Sequence, residues 1–223
     1  MVGGSFRRGL RDGLVLFLAV GAFGVAFGVL AVEAGLSPWV AVLASVVVVS
    51  GAAQFAMVGL IAGGAWPVLV ATAGLGLRHV PMSARLSSLI GPRPLRTRLA
   101  VAWVLVDETF GLTVAAARRG ESDLVAYKAG ADILLYSGWM VGTLAGSALG
   151  SSLDPAAWGA DVFFAVMFLG LAAPLVRGWR DLSVGILAVA ATFGAAAVLP
   201  DAWRITAAAG LAAGVAVLVP DRG

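Results

Sequence analysis

Three short clusters of polar residues sit inside stretches of chain that are otherwise long and apolar enough to cross a membrane: Ser50-Gly51-Ala52-Ala53-Gln54, Arg78-His79 and Asp107-Glu108. An ionisable side chain at bilayer depth is costly unless it is paired or faces water, so such residues mark a pathway or a binding site. Two adjacent carboxylates buried without partners would be prohibitive, so at least one of Asp107 and Glu108 must be protonated, paired with Arg78 or facing water. Their chemistry suits contact with a substrate ammonium, or uptake and release of a coupling proton. A structural ion pair, or a helix cap if that helix starts late, would use the same residues.

Ser50 and Gln54 are four apart and would share a helical face. An amide both donates and accepts, which suits a zwitterion. The small residues between them allow close backbone approach or a break. Interhelical hydrogen bonds in a Gly/Ala-rich seam account for the same pattern equally well. Thr72, His79 and Ser83 fall at spacings of seven and four, which predicts a polar stripe on one helical face. His79 is the single histidine, which excludes multi-histidine metal sites and leaves a proton relay open. Arg78 either helps hold the substrate or snorkels to the interface ahead of Pro81 and Arg85. Lys128 and Asp132, four apart at the start of a span, predict an interfacial ion pair. Asp161, Asp181 and Asp201 read as helix N-terminal charges. None of these last five is expected in a site.

The elements that must position the polar clusters lie in lipid. With 61% hydrophobic residues, 12% charged and a mean hydropathy of +0.99, the chain has more apolar surface than a soluble domain of 223 residues could hide. Its 30 glycines suit close helix packing in a bilayer. The absence of cysteine removes disulfides, thiolate metal sites and cysteine catalysis. A pI near 10.2 does not point to nucleic acid, because the basic residues sit in short loops between apolar runs. The first residues resemble a signal peptide, but the apolar run continues to Val32 without a convincing cleavage site, so a retained span is expected.

Membrane-length segments fall at 13–32, 39–64, 66–84, 99–117, 130–150, 158–176, 181–199 and 203–219. Five of seven tryptophans (Trp39, Trp66, Trp158, Trp179 and Trp203) mark segment ends. Arg7, Arg8 and Arg11, the basic stretch 85–98, the 118–128 loop, Arg177 with Arg180, and Arg222 all predict cytoplasmic placement. The loops 33–38 and 151–161 lack basic residues and are expected outside. Segment 99–117 then has a cytoplasmic loop at each end, while 39–64 and 66–84 together need an odd number of crossings. Both constraints are met if 39–64 is re-entrant from outside and 99–117 re-entrant from inside, with tips at 50–55 and 107–111. Two opposed broken elements resemble the inverted repeats of secondary transporters. A plain seven-span bundle and single broken helices are the alternatives. The expected fold is all-α: one polytopic transmembrane domain over 1–223, with about six full spans plus one or two re-entrant or broken helices.

The stretches GLRDGLVLFLAVGAFGVAFGVLAVEAGLSP (9–38), SGAAQFAMVGL (50–60), LRHVPMSARL (77–86), DETFGLT (107–113) and SGWMVGTLAG (137–146) together resemble the AzlC family, the large subunits of branched-chain amino acid exporters. The resemblance runs in order from about residue 9 to 176. It implies export of branched-chain and related amino acids across the cytoplasmic membrane, with a small four-span partner of the AzlD type. Gln54, Arg78, His79, Asp107 and Glu108 match motif positions. Leu77 stands where relatives often carry Asn, and Asp132 is unusual for the family.

The residues then suggest alternating access driven by protons. Backbone N–H groups around Gly51–Gln54, with Ser50 and Arg78, would hold the substrate carboxylate. Asp107 or Glu108 would meet the ammonium, and Phe55, Met57 or Phe110 the apolar side chain. Asp107, Glu108 and His79 are the expected proton-coupling groups. No cofactor, metal or nucleic-acid partner is expected, and the chain does not read as an enzyme. Two other classes compete: a structural or regulatory subunit whose partner holds the site, and an intramembrane enzyme using Asp107/Glu108 with His79.

Overall fold

The computed structural model describes residues 2–150, 152, 176, 178–199, 211 and 214. Among the described residues every regular element is helical and none is a strand. The helices are α1 (Val2–Glu33), α2 (Pro38–Val47), α3 (Gly51–Leu60), α4 (Ala65–Gly76), α5 (His79–Ile90), α6 (Leu95–Trp103), α7 (Asp107–Arg118), α8 (Leu124–Leu149) and α9 (Trp179–Val198). A 3₁₀ turn, Ile61–Gly63, follows α3. The expected segments 158–176 and 203–219, with Trp158, Trp203, Asp161 and Asp201, lie outside the described residues. The chain divides into two compact units, 1–58 with 76–153, and 59–75 with 154–223.

In the first unit α1 and α8 form the spine. The stretch 3–33 of α1 combines the length and apolarity needed to cross a bilayer, and among the described residues it alone does so. The helix α1 itself starts at Val2, eleven residues before the expected 13–32, and its polar first turns are anchored by ion pairs at Arg8 and Asp12. The two helices meet through glycine. A Cβ on Gly9, Gly24 or Gly28 of α1, or on Gly130, Gly138, Gly142 or Gly146 of α8, would collide with backbone atoms of the opposite helix. In lipid, where apolar side chains gain nothing by leaving the solvent, such backbone-to-backbone packing is what holds helices together. Phe27, Ala31, Leu135 and Trp139 fill the core beside this seam.

The three segments that carry polar clusters are each broken. Segment 39–64 is α2 and α3, interrupted at Val48-Val49-Ser50; segment 99–117 is α6 and α7, interrupted at Val104-Leu105-Val106. The expected tips, 50–55 and 107–111, are therefore misplaced: in each case the break immediately precedes the motif, and most of the motif starts the next helix. Segment 66–84 also divides, between α4 and α5 at Leu77-Arg78. The expected stripe of Thr72, His79 and Ser83 is thus not one helical face. Thr72 bonds back to the Val68 and Leu69 carbonyls, and Ser83 to the His79 carbonyl, each within its own helix. Local chemistry starts α2 and α8: Ser37 caps the Val40 N–H with Pro38 in the first turn, and Asp123 caps the Ala126 N–H at 3.1 Å.

The α2–α3 break is a bend. The Ser45 hydroxyl lies 2.9 Å from Gln54 Oε1. Nine residues of straight helix would separate their Cα atoms by about 13 Å. The two side chains end to end span only roughly 10 Å. The chain must turn back between them.

The second unit contains most of α4 and α9. Thr192 returns its hydroxyl to the Ala188 carbonyl, as Thr72 does in α4. Trp179, Ile186, Val189, Phe193 and Val198 along α9 are exposed, an apolar surface suited to lipid.

Candidate functional site

The first break is fastened by a buried polar knot. Ser45 donates to Gln54 Oε1 and lies 3.0 Å from both the Trp139 Nε1 donor and Thr143 Oγ1. A hydroxyl has one proton and two lone pairs, so all of Ser45's capacity is used when Thr143 donates. The Gln54 amide nitrogen donates to the Val48 carbonyl, which the break has left without a helical partner. Ser45, Gln54 and Thr143 are all buried. Gly51 is required here by contact, since a Cβ would lie 2.9 Å from the Trp139 ring. Phe27, Phe55 and Trp139 pack around the knot with ring centroids 5.9 to 6.0 Å apart, Phe27 stacked on Trp139 and Phe55 edge-on to both.

The second break is held by Lys128. Its ammonium lies 2.7 Å from both Asp132 carboxylate oxygens, 2.9 Å from the Val104 carbonyl and 3.4 Å from Thr109 Oγ1. Lys128 is 1% exposed and Asp132 6%. The ion pair expected from the i, i+4 spacing is present, and it is buried within the protein. Near the end of α6 the chain stops being helical, and its exposed carbonyl gives a buried ammonium a partner that a continuous helix could not offer. The spacing foretold the pair but not its burial or its hold on the second break.

Arg78 joins the two breaks. Its Nη2 donates to Ser50 Oγ at 3.4 Å and pairs with Asp107 Oδ2 at 3.1 Å. Ser50 also lies 3.4 Å from the Ala53 N–H in the first turn of α3. Asp107 and Glu108 form the first turn of α7, where the helix dipole favours negative charge. The late-starting helix is therefore the arrangement found, and Asp107 is ion-paired there. Arg78 and Asp107 are 37% and 50% exposed, so the pair is accessible rather than sealed. Arg78 Nε is buried and has no acceptor among the described residues. Glu108 is half-buried beside the same charges.

The other expected residues distribute unevenly. His79 starts α5, and its Nδ1 is 3.0 Å from the Gly76 carbonyl. Phe55 packs with the first core cluster, whereas Phe110 of α7 packs with Met82 and Leu86 of α5 and with Leu105 in the second break. The two aromatics therefore do not line one described pocket. Met57 is partly buried against the cluster that holds Phe55.

A further polar cluster ties α1 to the α7–α8 loop. Arg8 grips Glu121 through two 2.7 Å bonds, and Ser5 Oγ and the Ser122 N–H also bond that carboxylate. The Arg8 bonds, reinforced by Ser5 and Ser122, hold the Glu121 carboxyl down at about 2. Asp12 accepts from Tyr127 at 2.7 Å and lies 3.3 Å from Arg119. These groups line a cavity of about 820 Å³. Sequence reading used the 118–128 loop only as an orientation signal; pairs separated by more than a hundred residues leave no local spacing to find.

The family model described as AzlC protein matches residues 15–153, a range that includes both breaks, Arg78 and Lys128. An uncharacterized membrane protein of Archaeoglobus fulgidus is 32% identical over 176 residues, 78% of this chain and 77% of that protein. The inner membrane protein YgaZ of Escherichia coli (strain K12) is 29% identical over 153 residues, 67% of this chain and 62% of its own length. No solved structure matches.

Proposed function

The chain belongs to the AzlC family of membrane proteins, and from that premise we propose that it is a secondary transporter exporting branched-chain or related hydrophobic amino acids across the cytoplasmic membrane. The observation that carries the reading is Arg78 bridging Ser50 and Asp107, each beside a break, with its Nε buried and unpaired. Broken helices place ends of opposite polarity at bilayer depth, which is how secondary transporters hold small charged solutes. The substrate carboxylate takes Arg78 and the N-terminal turn of α3, near Ser50 and Gly51. Its ammonium takes Glu108, or Asp107 once Arg78 has turned to the carboxylate. Gln54, whose amide is engaged with Ser45 and Val48, keeps the break in shape rather than reaching the substrate.

A carboxylate that binds either a proton or an ammonium, but not both, couples the two fluxes, and Glu108 is that group in our reading. His79 stands at the start of α5 as a relay toward it. Phe55 and Phe110, in their separate clusters, meet the substrate side chain from different sides. Segments 39–64 and 99–117 act as opposed re-entrant elements in one transporter domain, with both termini in the cytoplasm. A small four-span AzlD-type subunit completes the exporter.

Efflux of labelled valine or isoleucine from cells preloaded with dipeptide tests this reading, with the chain expressed beside its small partner. Wild type should accelerate efflux, and Glu108→Gln and Arg78→Gln should remove the acceleration while the protein still reaches the membrane. Unchanged efflux in both variants would show that the breaks are not the transport site.

A further inference from the structure

We propose that the Lys128 ammonium is a tethered cation seated in a site with the donor set of a sodium ion, so that this transporter works without sodium. The inference rests on the transport reading only for its consequence, not for the site. Four oxygens surround Nζ: Asp132 Oδ1 and Oδ2 at 2.7 Å, the Val104 carbonyl at 2.9 Å and Thr109 Oγ1 at 3.4 Å. Carboxylate, carbonyl and hydroxyl oxygens are the donors that hard cations take. The Val104 carbonyl stands just past the C-terminal end of α6, where the helix dipole favours positive charge. Unwound carbonyls and half-helix C-termini are the elements with which secondary transporters coordinate a coupling ion. Here the cation arrives on a side chain one turn before Asp132 and is buried with it.

A covalently attached cation is neither loaded nor released during a cycle. It keeps the second break folded at all times and leaves coupling to a group that can change its charge elsewhere, at the start of α7. The site is within reach of small ions, because a groove of about 500 Å³ between α6 and α8, lined by Val101, Val104, Ala129 and Tyr136, has Asp132 in its wall.

Removing the tether should uncover an ion site. The purified protein is unfolded thermally in sodium, potassium or choline chloride at equal ionic strength. Wild type should unfold at one temperature in all three. Lys128→Ala should unfold at a lower temperature in choline and regain stability with sodium in a saturable way, and adding Asp132→Asn should abolish that response. Wild type that gains stability specifically from sodium overturns the proposal, as does Lys128→Ala that responds alike to all three salts. If the variant does not survive purification in choline, its recovery as monodisperse protein on extraction into sodium is the reading, and failure in every salt overturns the proposal. None of these measurements involves transport. Efflux by wild type in sodium-free medium adds the functional arm: loss of efflux on removing sodium contradicts the tether, whereas no efflux in any medium counts against the exporter reading alone.

Discussion

Replacing Gly24 with alanine tests the spine on which both breaks depend. A Cβ at Gly24 would stand 2.5 Å from the Trp139 carbonyl oxygen, 3.0 Å from the Thr143 nitrogen and 3.1 Å from Gly142 Cα. Real Cβ atoms do not approach closer than 3.0 Å, so the shortfall is 0.5 Å, and every neighbour is backbone that cannot turn aside. Forcing a methyl group into a filled interface costs about 1–3 kcal/mol. Alanine recovers part of this, since it is favoured over glycine inside a helix by about 1 kcal/mol. The net expectation is a destabilisation of about 0–2 kcal/mol. Gly111, inside α7, has nothing within 4 Å of its would-be Cβ, so Gly111→Ala keeps only the favourable part, about 1 kcal/mol of stabilisation. The two variants should thus differ by about 1–3 kcal/mol in equilibrium unfolding in mixed micelles. Equal stability of the two would mean that α1 and α8 are not in backbone contact, and the account of the spine would fall with it.

The remaining predictions concern polar groups. Glu121 titrates at about 2 when folded, below its ordinary 4.5, so the Arg8–Glu121 latch contributes stability above about pH 5 and loses it as pH falls toward 2. Hydrogen exchange of residues 119–123 should speed up over that window in wild type and show no such dependence in Glu121→Gln. Gln54→Leu removes two buried hydrogen bonds, to Ser45 and to the Val48 carbonyl, while the Ser50 N–H, Trp139 and Thr143 stay as partners, and should cost about 1–3 kcal/mol in denaturant unfolding. Asp107→Asn should weaken the link between Arg78 and α7 and raise the substrate concentration needed for half-maximal efflux more than it lowers the maximal rate. The opposite split would place Asp107 in the proton step.

Much of the candidate site was legible because its cost was legible. Ser50, Arg78 and Asp107 stood out as polar groups in apolar surroundings, and the structure gathers those three on one guanidinium. The loop charges also pointed to irregular elements at 39–64 and 99–117, and both are broken. Where the helices stop was not legible to within a turn. The interrupting residues are Val48-Val49-Ser50 and Val104-Leu105-Val106, mostly β-branched valine, with no glycine or proline among them to announce an end. Their freed carbonyls are met by side chains outside the breaks, Gln54 six residues on from Val48 and Lys128 twenty-four residues on from Val104. The polar stripe through Thr72, His79 and Ser83 failed because a 3.6-residue period holds only within one helix, and the helix is interrupted at Leu77-Arg78.

The partners of both breaks lie on a single face of α8. Lys128, Asp132, Leu135, Trp139 and Thr143 recur every three or four residues, and all are buried. Beside them runs the glycine face, Gly130, Gly138, Gly142 and Gly146, which receives α1. Lys128 and Asp132 hold the second break, while Trp139 and Thr143, eleven residues or about 16 Å further along, hold the first through Ser45. One helix therefore sets the positions of both interruptions, and glycine fixes that helix against α1. Taken alone as a charge near a span end, Lys128 gives no sign of the burial it has in this fold. An i, i+4 ion pair at an interface needs one side free for water, but here Gly130 already lies in the seam with α1 and the neighbouring stripe faces the breaks. Packing on both sides leaves the ammonium 1% exposed, with only Asp132 at the wall of the α6–α8 groove, so the cation is met by the protein itself: the carboxylate, the freed carbonyl and the threonine hydroxyl.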